Sequence, residues 1–489
     1  RSSIVLSAEP DSTFKMKAKK RVAIVGAGAA GMACAWSLSL HHTRFEVTVF
    51  EALESAGGVA STTMTADGRD RINDQVQGGA PSYRNNLLFF KQAADADPTD
   101  VHFKIAFGRG ETAWSNHGPP SPLVERCSED IKRFGRLLQR VHRHEWYYVF
   151  VPIHQLLERQ GFSQEFMDSM VFPLVALFFG TGNQTPYVSA AVISRVFLDP
   201  ELRLFEYDDS RLLSTVPTMF AFPPLGDIFA KITETIRSKG ESHRVLTSAP
   251  VVKVERRRDG VSVFSPALEG GVEEFDDVVF ACGAEQTLKI LGDDASWRER
   301  TFLPNVKYYN DLIVTHEDTS YMDEHYQFDR RDDGDMYMIR VDPNNPKLIE
   351  MSFNLTMYQP HLRDGGKAKR DIYQSIFLDD SDTSGWTNGR IRGEKILYKR
   401  MTRQFAHRWQ HFAFWVPFVR FLQGHRRTWH AGSQCLANTH EIAVMTGLAA
   451  ADRLGAPYPF PEDKLAAGQY KTLFHIIHGV FSRMTPPLS

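Results

Sequence analysis

Three glycines and one carboxylate carry the clearest chemistry in the chain. Gly26, Gly28 and Gly31 have the spacing G-x-G-x-x-G, with Ala27, Ala29 and Ala30 between them. Glycines so spaced allow a tight turn, let an anion approach the backbone, and let a helix pack close to a strand. About twenty residues past Gly31 stand Glu51 and Ala52. A carboxylate at that distance can accept hydrogen bonds from a ribose.

These residues need particular elements to bring them together. Arg21–Val25 is a short apolar run that reads as a buried parallel strand. The glycines then open a helix through Leu40, and a second strand, Glu46–Phe50, delivers Glu51. The helix N-terminus offers free N–H groups and a positive dipole end to a pyrophosphate. Strand, glycines, helix and acid together predict a dinucleotide site; the alternative is a glycine-rich turn in an ordinary βα unit. No second G-x-G-x-x-G follows a strand, so no separate nicotinamide site is expected.

Composition narrows the class. The 489 residues exceed one simple core and suggest two domains. A formal net charge of −2 lacks the basic excess that nucleic-acid binding needs. Cys34, Cys127, Cys282 and Cys435 are scattered, which predicts neither a disulfide framework nor a zinc site. His142, His144 and His154 sit among Arg140, Arg143 and Glu145, so a solvated helix face is expected there and no metal. The longest apolar run, Val171–Phe179, is too short to span a bilayer. An intracellular, soluble protein is expected. An organelle address stays open because the chain starts at Arg1 rather than Met.

Further along lie Gly57-Gly58-Val59, and then Ile72–Ala80 with Gln77, Gly78, Gly79 and Ala80. Residues 81–220 are dense in aromatics, with helical spacing in Ile131–Val141 and Ser163–Phe179. Phe222–Asp227 is a turn before a helix, Ile228–Arg237. Residues 251–282 alternate and are broken by Asp259-Gly260 and Gly270-Gly271, which reads as a three-stranded β-meander ending in Asp277–Cys282 and Gly283. Val306–His316, Asp335–Arg340 and Leu348–Phe353 read as strands, and 359–394 as irregular surface. Phe405–Leu422 is basic and aromatic, suited to burial or to lying on a membrane surface. Near the end come Arg427–Gly432, a short loop, and a helix opened by His440, Glu441 and Ile442.

The order of these motifs resembles that of the flavin amine-oxidase superfamily. The second glycine pair, the Ile72–Ala80 segment, the Pro-Leu-Gly turn (with Asp227 where a second glycine is usual), the meander and the closing strand–loop–helix all have counterparts there. Val306–Asp318 and Gln423–Leu454 look most like a branch that includes the oxidase-like N-terminal region of plant cyclopropane fatty-acid synthases and the polyenoic fatty-acid isomerases. In that branch Gly-Phe precedes His-Glu; here Asn438-Thr439 stands before His440-Glu441.

The resemblance implies an α/β fold: a glutathione-reductase-like Rossmann FAD domain with a β-meander, and a mixed α+β substrate domain inserted in it. The FAD domain would comprise 20–85, 221–305 and 423–460, and the substrate domain 86–220 and 306–422. Residues 1–19 would form a tail and 461–489 a C-terminal segment. FAD would contact Gly26, Gly28, Ala29, Ala30, Gly31, Glu51, Ala52, Gly57, Gly58 and Val59 at one end. Gly78, Gly79, Ala80, Val251, Cys282, Gly283, Gly432, His440, Glu441 and Ile442 would complete the site. The context of Cys435 does not match covalent flavin attachment, so FAD would be non-covalent.

Related amine oxidases carry a lysine near flavin N5. Here Asn310 takes that place, and Lys307, three residues earlier, faces the other way on a strand. Gln77, Tyr308, Asn310 and His440 are the candidate substrate-facing residues. The leading expectation is hydride abstraction from an apolar, fatty-acyl or isoprenoid-like substrate to flavin N5, with the protein supplying orientation and exclusion of water. The alternatives are redox-neutral double-bond isomerisation, amine oxidation, and a non-catalytic flavoprotein interaction module. The expected partner is an apolar small-molecule or lipid substrate, with no nucleic acid; peripheral membrane contact is left open, and so is the oligomeric state.

Overall fold

The computed structural model describes residues 18–199, 205–213, 216–342, 345–346, 348–364 and 367–482. Most of the expected tail, and residues 483–489 of the expected C-terminal segment, lie outside them.

At the centre is a five-stranded parallel sheet. Strand β1 (Lys20–Val25) leads through helix α1 (Ala29–Ser39) to β2 (Phe45–Phe50). Strands β3 (Arg244–Leu246), β4 (Asp277–Phe280) and β5 (Thr428–His430) return from far along the chain, in the spatial order β3-β2-β1-β4-β5. Val22, Ala23 and Ile24 are fully buried, which a strand covered on both faces requires. Ile24 lies level with Val49 on one side and Val279 on the other. Helix α2 (His440–Leu454) packs along α1. The approach is close because Gly447 has no side chain: a Cβ there would stand 2.1 Å from the Ala30 carbonyl oxygen.

The meander is present as Lys253–Arg256, Val261–Phe264 and Val272–Phe275. Asp277–Phe280 is not its last strand but joins the parallel sheet beside β1.

A separate seven-stranded mixed sheet faces the nucleotide layer. Its order is Ile396–Phe405, Tyr308–His316, Tyr373–Phe377, Ile349–Asn354, Tyr337–Val341, Ile105–Phe107 and Trp114–Ser115. Tyr373–Phe377 corrects the reading of 359–394 as irregular surface. It sits between two long strands, and the buried Gln374 and Ser375 break the apolar pattern that would have marked it.

A helical layer built around Phe134, Phe166, Met170 and Phe197 covers one side of this sheet. His142 lies on its surface, 3.0 Å from Glu145. Among the described residues no group of three His, Cys, Asp or Glu could hold a metal ion.

Helix Arg84–Ala94 packs on α2 and on Leu225–Ser238, and its Phe89 and Phe90 share a core with Trp36. It therefore belongs to the nucleotide layer, and the expected boundary after residue 85 cuts through it. Within Phe405–Leu422, Phe412 and Trp415 are buried and the Trp415 indole donates to the Gln434 carbonyl, whereas Phe414 and Phe421 face outward. Among the described residues no helix is long and apolar enough to cross a membrane.

Candidate active site

The glycine residues form a cradle at the C-terminal ends of β1 and β2. Gly26 has φ +105°, and a Cβ on it would lie 2.8 Å from the Ala281 carbonyl oxygen. Gly31 lies behind the cradle, where a Cβ would strike the Gly26 oxygen at 1.9 Å. Gly28 differs: its Cβ would meet nothing nearer than the Gly57 oxygen at 4.0 Å, so open space lies before the α1 N-terminus. Gly57 (φ +125°) and Gly58 (φ +62°) close the other side, with the Gly57 N–H donating to the Ala27 oxygen. First-turn N–H groups of a helix have no partner within it and are aimed at whatever fills such a cradle.

Glu51 holds the turn together. One carboxylate oxygen accepts from the Ala27 N–H at 2.8 Å and the other from the Leu53 N–H at 2.9 Å. A carboxylate has about four acceptor positions, so two are left for a ribose.

The cradle opens into a cavity of about 830 Å³ that continues to the seven-stranded sheet. Of the residues expected at the cofactor, Gly26, Gly28, Ala29, Ala30, Glu51, Ala52, Gly57, Gly58, Val59, Gly78, Gly79, Ala80, Val251, Cys282, Gly283, Gly432 and His440 line it. Gly31 does not, for the packing reason above. Cys435 is fully buried outside the cavity wall. The Gly78–Gly79 segment is pressed against Thr218–Ala221; a Cβ on Gly78 would sit 1.9 Å from the Phe220 oxygen. Gln434 ties the far wall together, donating to the carbonyls of Cys282 and Ala431.

At the α2 N-terminus Thr439 is the cap, its hydroxyl accepting from the Ile442 N–H. The Ile442 side chain turns into the core, and Glu441 turns away from the main cavity. The Glu441 carboxylate caps helix Arg84–Ala94 instead, accepting from the N–H groups of Asn85 and Asn86 and from the Asn85 amide. An anion there complements the helix dipole. Burial pushes its carboxyl up to about 7, against the pull of those hydrogen bonds. His440 is held near 4 by burial and is therefore neutral at pH 7. Its Nδ1 bonds Asn86 Oδ1 at 2.8 Å, and Nε2 has no protein partner.

The four expected substrate-facing residues separate. Gln77, Tyr308 and His440 line the cavity; Asn310 does not. The Gln77 amide donates to Gln374, and its own oxygen is buried without a partner. The Tyr308 hydroxyl accepts from the Ala284 N–H at the start of a helix. The expectation for Asn310 is corrected: it is not on the cavity wall, its amide donates to Asp380, and its oxygen accepts from Arg403, a residue that does line the cavity.

The next residue, Asp311, faces in. It is 2% exposed. One oxygen accepts from the Asp379 N–H at 2.8 Å and the other from the Gln404 amide at 2.5 Å. Burial, with Asp379 and Asp380 adding to it, pushes its carboxyl up to about 8. Sequence reading missed it by one position on a strand, where one position reverses the face. Its parity with the buried Ile313 was the signal.

The remaining wall is apolar. Tyr337 stacks on Phe353 at 3.9 Å, Phe103 packs on Tyr358, and Leu177, Phe178, Met351 and Ile376 fill the rest.

Residues 24–87 match the NAD(P)-binding Rossmann-like domain family. No curated protein matches the chain. Among solved structures the fold is similar to a CLA-producing fatty acid isomerase from P. acnes, at 17% identity and TM-score 0.59, covering 88% of this chain and 97% of that one. It is similar to cyclohexylamine oxidase from Brevibacterium oxydans, at 13% identity and TM-score 0.63, covering 89% and 100%. A putrescine oxidase bound to putrescine follows at 14% identity and TM-score 0.61, covering 89% and 99%. Residues 24–87 thus match a Rossmann-like family, and the chain as a whole shares the fold of these solved isomerase and oxidase structures.

Proposed function

We propose that this protein is an FAD-dependent oxidoreductase acting on an apolar, fatty-acyl or isoprenoid-like substrate. The observation that carries the reading is one continuous cavity, a glycine cradle at one end and an aromatic and aliphatic wall at the other, with no lysine among the described residues that line it. The residues fit FAD. The open side of Gly28 admits a pyrophosphate to the α1 N-terminus, Glu51 keeps acceptors for a ribose, and the α2 N-terminus lies at the far wall. When bound, FAD accepts a hydride from a carbon and can return it.

The chain's own residues orient and protect the substrate. The stacked Tyr337–Phe353 pair and Met351 exclude water and align a hydrocarbon. Asp311 is protonated near neutral pH and can give or take a proton at a carboxylate oxygen, held in place by Gln404 and Asp379. The neutral His440 presents an acceptor nitrogen without a protein partner.

A redox-neutral double-bond migration uses the same cavity and is supported by the likeness to the fatty acid isomerase. Anaerobic mixing of the purified holoprotein with linoleic acid, followed by absorbance, separates the two. Lasting loss of the flavin band indicates net oxidation. New conjugated-diene absorbance with an unbleached flavin indicates isomerisation. Absence of both changes contradicts the fatty-acyl assignment.

A further inference from the structure

A second cavity of about 390 Å³ lies beside the first, and Tyr83, Phe178, Asn438 and Thr439 line both. Its size falls in the range of ligand pockets, about 300–1,000 Å³. Helix Ala190–Leu198, α2 and helix Lys464–His478 contribute to its wall, with Val149, Val192, Val196, Phe412, Met445 and Leu473 facing in. Trp146, 75% exposed, stands at its outer rim. Arg195, also on the wall, is held by Glu145 at 2.6 Å and Asp199 at 3.3 Å. Glu441 is occupied with Asn85 and Asn86. A carboxylate would therefore find no uncommitted cation among the described wall residues, while a hydrocarbon finds a mostly apolar surface.

The common wall has two kinds of residue. The Thr439 hydroxyl caps α2, and the Asn438 amide donates to Gln404, so both polar side chains are fixed. Tyr83 and Phe178 are the other two, and their rings form the apolar part of the common wall. Need for extra room follows from the main cavity itself, because a dinucleotide in the cradle fills its glycine-lined part.

We propose that the second cavity holds the apolar end of the same elongated substrate whose reacting carbon lies in the main cavity, the chain passing between Tyr83 and Phe178. The proposal rests on the apolar-substrate reading above and extends it to a chain-length preference.

Calorimetric titration of the holoprotein with octanoate, decanoate, laurate and myristate tests it without relying on turnover. Affinity should rise along the series, by up to about fourfold per added methylene. V192W, which fills the second cavity, should abolish the rise for laurate and myristate and leave octanoate affinity unchanged; V196F serves if the tryptophan variant does not fold. A wild-type affinity that is already level at octanoate, or equal slopes in wild type and folded variants, overturns the second-cavity proposal while leaving the apolar-substrate reading intact. Absence of binding by every acid, with no flavin change on linoleic acid, overturns both.

Discussion

Asp311 and Gln404 meet across two paired antiparallel strands, the Gln404 amide donating to the Asp311 carboxylate at 2.5 Å inside the cavity. This contact fixes an ionisable group on the cavity wall, and it has consequences for pH.

The folded-state carboxyl of Asp311 lies near 8, well above an unfolded aspartate near 3.9. Between those values the native state binds the extra proton, so its contribution to stability is complete below about 4 and is lost as pH rises toward 8. D311N removes that titration. Wild type should lose stability relative to D311N by up to about 1.4 kcal/mol per pH unit from pH 5 to 8. Urea unfolding of both proteins at pH 5 and 8 measures the difference; parallel pH profiles would contradict it.

Asn310 provides the matching control. Neither Asn310 nor its partner Asp380 lines the cavity. N310A should change stability by no more than about 0.5 kcal/mol and leave the rate of substrate-dependent flavin reduction within about twofold. Stopped-flow absorbance on N310A and D311N side by side checks the strand register, because only the second should alter the rate.

The cradle glycines should separate fold from cofactor retention. G26A forces φ +105° on a residue with a Cβ and drives that atom to 2.8 Å from Ala281, so it should cost about 1–3 kcal/mol in stability. G28A meets no such clash, yet puts a methyl group where the pyrophosphate approaches. It should keep the thermal midpoint of the apoprotein and lose FAD on gel filtration, measured as flavin absorbance per protein.

Glu441 should act on stability. E441Q replaces one acceptor oxygen with an amide that cannot accept from Asn85 or Asn86, leaving a buried N–H without a partner. The expected cost is about 1–3 kcal/mol by denaturant unfolding.

Much of the nucleotide unit is legible in the sequence because each of its glycines answers a local steric demand. Gly26, Gly31, Gly57 and Gly58 sit at positive φ or against backbone, and such demands leave a mark at fixed spacing. The substrate side is less legible. Asn310 and Asp311 are both polar neighbours on a strand, and only the pairing with Ile396–Phe405 decides which faces the cavity. Tyr373–Phe377 is hidden because Gln374 and Ser375 are buried and satisfied by Asp74, Thr315 and Ser352. The position of Glu441 in the closing helix points to the cofactor. Its real partners, Asn85 and Asn86, lie over 350 residues away in sequence, and no local pattern reveals them.

The most direct measurement is anaerobic mixing of the holoprotein with linoleic acid and, separately, with a straight-chain primary amine of equal length. The proposed function predicts flavin bleaching or conjugated-diene formation with the acid and an unchanged spectrum with the amine. Bleaching by the amine together with no spectral response to the acid would contradict it.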